Sequence, residues 1–134
     1  MIMTLNERIA QLFEDRRTKY PAEQLSSMWN QWVAGCETGY NWEYDEYEYE
    51  LGLRDDIQAV LEDSLCQNLD GFEAFRQQTC QIDERFKTLI NLGPKVSHWS
   101  DKWWRRSLPP LGRERFADSV ESSFGITLQK VGTP

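Results

Sequence analysis

The chain has 134 residues, 40% of them hydrophobic and 28% charged, and a formal net charge of −7. That length is one domain's worth and can close a core without staples, and the composition excludes a disordered polymer. No apolar run approaches the roughly 20 residues that cross a bilayer, and Met1-Ile2-Met3-Thr4 leads at once into Asn6, Glu7 and Arg8, unlike a secretory signal; the expectation is one cytoplasmic domain over 1–134.

Thr4 followed by Glu7 is a capping-box pattern, in which the hydroxyl and the carboxylate satisfy orphan amides at a helix start. Leu5, Ile9, Leu12 and Phe13 recur at helical spacing, predicting a first helix to about Lys19. Tyr20-Pro21 ends it, and Pro21 suits the first turn of the next helix. Leu25, Met28, Trp29, Trp32 and Val33 form the stripe of that second helix, with Gly35 as its expected C-cap.

Further on, Ile57, Val60, Leu61 and Leu65 share one face of a helix predicted over Leu53 to Leu65, with Asp55 and Asp56 complementing the dipole of its first turn. Asp70 with Glu73 resembles a second capping box. Phe72, Phe75, Thr79, Ile82, Phe86, Leu89 and Ile90 then make the longest stripe in the chain, closed by Asn91-Leu92-Gly93-Pro94. After an aromatic and basic stretch and a break at Pro109-Pro110, a last helix carries Leu111, Phe116, Val120 and Phe124 and stops at Gly125. Residues 126–131 read as an extended tail. The fold class expected from these elements is all-α: a compact single-domain bundle of about five helices, with a short hairpin or irregular segment at 40–51.

Charge is unevenly spread. Residues 37–63 hold ten acids against the single base Arg54, a net of −9, whereas 95–115 hold six bases against two acids, a net of +4. The acidic stretch is also aromatic: Tyr40, Trp42, Tyr44, Tyr47 and Tyr49 are interleaved with Glu43, Asp45, Glu46, Glu48 and Glu50. As a hairpin turning at Asp45-Glu46, it would pair Tyr44 with Tyr47, Trp42 with Tyr49 and Tyr40 with Leu51 on one face, although Asp-Glu is a poor hairpin turn. As a helix, Tyr40, Tyr44, Tyr47 and Leu51 fall at spacings of four, three and four. The glutamates favour helix and the aromatics strand; both structures stay open, with the balance toward helix or irregular backbone.

Two functional readings also stay open for this stretch. The rings pack on the core and the acids form a solvated face, or some rings point outward as contacts for a cationic protein. Tyrosine and tryptophan bury large rigid areas in interfaces and still offer a polar tip, while surrounding carboxylates repel nucleic acid and speed encounter with a basic partner. His98, Trp99, Lys102, Trp103, Trp104, Arg105 and Arg106 form the opposite combination. Indoles stack on bases and arginines pair with phosphates, yet +4 is modest beside −9. The expectation is structural: Trp99 and Trp103 close the bundle, and the bases stay solvated or pair with the acidic stretch.

Catalysis lacks a signature. His98 is the single histidine, without a nucleophile motif. Cys36, Cys66 and Cys80 form no CxxC and have no histidine at ligand spacing; each reads as a small buried residue. Neither a metal motif nor a phosphate-cradling glycine loop occurs, so no catalytic residue, metal or cofactor is expected.

In size, helical content, acidity and its tyrosine-carboxylate segment, the chain resembles the small acidic immunity proteins of bacteria. These are antidotes that bind a nuclease or other toxin of the contact-dependent inhibition or colicin type. In the colicin-DNase group, paired tyrosines among acids on a helical bundle make the contact. The comparable chemistry here lies in Tyr44, Tyr47 and Tyr49 among Glu43, Asp45, Glu46, Glu48 and Glu50. The resemblance implies stoichiometric occlusion of a cognate basic toxin, with no direct nucleic-acid or membrane partner. Two other classes remain: an acidic adaptor or DNA mimic whose carboxylates imitate a phosphate backbone, and a small enzyme or accessory protein using His98.

Overall fold

The computed structural model describes residues 2–16, 19–97 and 100–132. Six α-helices occur among them: α1 (Leu5–Leu12), α2 (Ala22–Thr38), α3 (Tyr44–Glu50), α4 (Gly52–Glu62), α5 (Phe72–Asn91) and α6 (Glu114–Phe124). Two-residue strands β1 (Leu111–Gly112) and β2 (Gln129–Lys130) pair in parallel. The fold is all-α, as expected. The extended tail supplies β2, and its partner β1 takes Leu111 out of the last helix.

The long helices α2 and α5 pack on one another, and α4 lies against α2. Their apolar stripes supply Trp29, Val33, Ile57, Val60 and Phe86, and α6 adds Phe116 and Val120; all are sealed from solvent. One ion pair sits in this core. Arg54 donates through Nε and Nη2 to the two oxygens of Asp83 at 3.0 and 2.9 Å, and the Trp29 indole donates to the same carboxylate at 3.0 Å. Trp103 and Trp104 lie against the Arg54 guanidinium, at 5.7 and 4.5 Å from ring centre to Cζ. The charge is thus saturated by a bidentate partner and aromatic faces, the condition under which a buried ion is tolerated. Asp83 follows Thr79 by four positions and precedes Phe86 by three, so it falls on the inner face of α5 by register alone.

Helix ends depart from the sequence reading in ways with local causes. The Thr4–Glu7 capping box forms, with both hydrogen bonds at 3.1 Å. Helix α1 stops at Leu12, well short of Lys19, because Glu14, Asp15 and Arg16 are exposed and give another turn nothing to bury. Gly35 is interior to α2. The helix continues through the buried Cys36 and ends at Gly39, whose φ of 125° suits a residue without Cβ. Helix α4 ends at Glu62, not Leu65: Asp63 turns away to accept the Cys66 amide at 2.9 Å and a bidentate Arg8, leaving Leu65 exposed. The Asp70–Glu73 box does not form; Gly71 occupies the cap in the left-handed region, and Glu73 pairs with Arg76. Of the cysteines, Cys36 and Cys66 are buried as expected, but Cys80 is exposed.

Between α5 and α6 the chain folds back on itself. Leu108 N–H donates to Pro94 and Val96 N–H to Arg106, at 3.0 and 2.9 Å, making a closed strap whose far end is the 3-10 turn Trp103–Arg105. Gly93 is required at its base, since a Cβ there would collide with the Leu108 carbonyl.

Candidate functional site

The acidic aromatic stretch is no hairpin: residues 40–43 are irregular and Tyr44–Glu50 are helical. Helix α3 begins after Glu43, and the Tyr44 amide is tethered to Ser119 Oγ of α6 at 2.8 Å. Asp45 and Glu46 stand in its first turn, where the helix dipole favours negative charge.

The turn before α3 and the helix itself divide the five rings. Tyr40 and Tyr47 are 5% and 1% exposed, packed on Phe116 at 5.1 and 5.2 Å and on Trp32 at 5.9 and 5.2 Å. Their expected place among the surface contacts is therefore corrected: both belong to the core, because the turn from α2 to α3 directs them inward against α6. Tyr44 is half-buried beside Phe124. Only Trp42, 51% exposed and under the Arg115 guanidinium, and Tyr49, 81% exposed, present their rings to solvent. Burial raises the phenol pKa of Tyr40, Tyr44 and Tyr47; the hydrogen bond to Glu50 adds to this at Tyr40, and nearby Glu48 at Tyr44. These phenols stay neutral across the physiological range.

The carboxylates divide as well. Many acids flanking α3 have a base. Arg85 holds Glu37 at 2.6 Å, Arg16 holds Asp56 at 2.6 Å and Arg8 holds Asp63 at 2.9 Å. Asp55 is served by the strap: Arg105 at 2.6 Å, Lys102 at 3.3 Å and the Trp104 indole at 2.9 Å. The basic stretch thus pairs with the acidic one, and Trp103 and Trp104 close the bundle over Arg54. His98 and Trp99 lie outside the described residues.

What the pairing leaves over lies mostly on α3 and its N-cap, with the exposed Glu62 at the end of α4 the exception among the described residues. Among the described residues Glu43, Asp45, Glu46 and Glu50 make no ion pair, and Glu48 reaches Arg105 only at 3.9 Å. Glu43, Asp45, Glu46 and Glu48 are exposed; Glu50 is half-buried, its Oε1 accepting hydrogen bonds from the Trp32 indole at 3.1 Å and from the Tyr40 hydroxyl.

Beside this face runs a groove of about 1410 Å³ between α2, α3 and the start of α4. Met28, Trp32 and Leu53 contribute half-buried apolar surface, and Asp45, Glu48, Tyr49 and Glu50 contribute the α3 side. A second hollow lies at Trp42, lined by Arg113 and Arg115 together with Glu43, Glu114 and Asp118. The sequence reading named the α3 residues but not the groove floor, because Met28, Trp32 and Leu53 sit on stripes that look like ordinary core. Among the described residues, no three His, Cys, Asp or Glu side chains converge as metal ligands, and no helix is long and apolar enough to cross a membrane.

Comparison with protein-family models, with curated proteins and with solved structures finds no match.

Proposed function

We propose that this chain is a stoichiometric binding protein of the immunity kind, which grips a basic partner through the outer face of α3 and the turn before it. One observation carries the reading: of the acids of 37–63 left without a base among the described residues, all but Glu62 lie on α3 or at its N-cap, close in sequence to the two rings that face solvent. Uncompensated negative charge steers a cationic protein into encounter, and exposed Tyr49 and Trp42 offer rigid area to bury once contact is made. The partner is a basic toxin domain, such as a nuclease, whose Lys and Arg residues otherwise face nucleic acid; an inhibitor of that target acts in the cytoplasm.

The test is co-expression with a basic toxin domain encoded beside this chain, followed by binding kinetics. Growth should be restored. Asp45→Lys combined with Glu46→Lys should slow association about tenfold at low salt, with a shallower salt dependence. Tyr49→Ala should instead speed dissociation. Unchanged kinetics in both variants would remove α3 from the interface, and competition by duplex DNA for the same partner site would identify a DNA mimic.

A further inference from the structure

Resting on that binding reading, we propose that the groove between α2 and α3 receives an arginine side chain from the basic partner, with Glu50 as its carboxylate and Tyr49 as its stacking face.

Three features of the groove fit that occupant. The first is its charge. The bases that line it are already matched to carboxylates of α4: Arg16 to Asp56 at 2.6 Å, Arg105 and Lys102 to Asp55 at 2.6 and 3.3 Å. Asp45, Glu48 and Glu50 on the α3 side remain, with only the 3.9 Å contact from Arg105 to Glu48 against them. The groove therefore carries unspent negative charge on one wall.

The second is the state of Glu50. Its Oε1 is fixed by the Trp32 indole and the Tyr40 hydroxyl, and Oε2 accepts no hydrogen bond among the described residues. Two neutral donors orient this half-buried carboxylate without neutralising it. A carboxylate partly withdrawn from water gains most from an incoming cation, since the solvation it would otherwise lose is already reduced.

The third is shape and surface. Tyr49 stands 81% exposed at the edge, while Trp32, Met28 and Leu53 offer half-buried apolar area. A guanidinium is planar, weakly hydrated and able to lie on a ring while its edge donates to a carboxylate; an ammonium is a compact, strongly hydrated point charge. The pairing of aromatic face and oriented carboxylate selects arginine over lysine.

The test titrates the isotope-labelled full chain with hexa-arginine and, separately, with hexalysine at low salt, following backbone amides and the Trp32 indole N–H by NMR. Supporting results are the largest shifts at the Trp32 indole and at the amides of Tyr49 to Leu53, with hexa-arginine bound at least twofold more tightly than hexalysine. Tyr49→Ala, a change at an exposed position, should weaken hexa-arginine binding about two- to fivefold, the range for an exposed cation–π contact, and bring the two peptides closer together. Glu50→Gln should abolish the indole shift. Shifts confined to Glu43–Glu46 with equal affinity for both peptides would overturn the groove while leaving α3 as an acidic docking face. Absence of shifts with either peptide would overturn both.

Discussion

Tyr47 and Tyr49 lie two positions apart on one short helix and have opposite fates: the first is 1% exposed and the second 81%. Two residues along an α-helix turn the side chain through about 200°, so a helix seated on a core must send such neighbours to opposite sides. Tyr47 faces Phe116, Trp32 and Tyr40; Tyr49 faces the groove. Identical chemistry thus serves packing at one position and leaves a ring open to solvent at the other. The same division separates Glu50, fixed by two donors, from Glu46, which is exposed and unpaired among the described residues.

The largest effect should separate the two tyrosines directly. Tyr47→Ala should cost about 3–5 kcal/mol in chemical denaturation, the range for a large aromatic truncated in a core, whereas Tyr49→Ala should stay within about 0.5 kcal/mol of the parent. Equal losses would mean that α3 is not seated as described. Truncating the buried ion pair should be nearly as severe: Asp83→Ala leaves Arg54 without its partner, at about 3–5 kcal/mol.

Two smaller effects sharpen the contrast. The Tyr47 hydroxyl is buried with no hydrogen-bond partner among the described residues, so Tyr47→Phe should be neutral or stabilising by up to about 1 kcal/mol; a clear loss of stability in thermal melts would reveal a partner for that hydroxyl. Acid should act through the carboxylates outside α3. The Arg8 guanidinium holds the Asp63 carboxyl below its ordinary range, helped by the Cys66 amide; at Asp55, burial pulls upward but Arg105 and Trp104 outweigh it. Because both pKa values are lowered by folding, their contribution is complete above the ordinary carboxylate range. It is lost as pH falls from about 4 toward the folded values. Denaturation midpoints should therefore be flat from about pH 5 to 7 and decline below about pH 4, with a shallower decline in Asp63→Asn.

Much of the fold was legible in the chain itself. The stripe from Phe72 to Ile90 became α5 and the Thr4–Glu7 box became the start of α1, because these signals are local: a repeat near 3.6 residues and a side chain within reach of its own backbone. Helix ends were less legible. Gly35 and Gly39 look alike in sequence, and the choice depended on whether Cys36 had a core to enter. Leu65 continued a stripe on paper, yet Asp63 found Arg8 from another helix and left the helical path.

The site was half legible for the same reason. Composition alone determined that residues 40–50 carry aromatics among acids. Which rings face outward, which acids keep their charge unmatched and where the groove floor lies were decided by tertiary structure. Those outcomes depend on α6 receiving Tyr40 and Tyr47 and on bases arriving from α1, α5 and the strap. Periodicity is a property of neighbours in sequence; charge pairing and burial belong to neighbours in space.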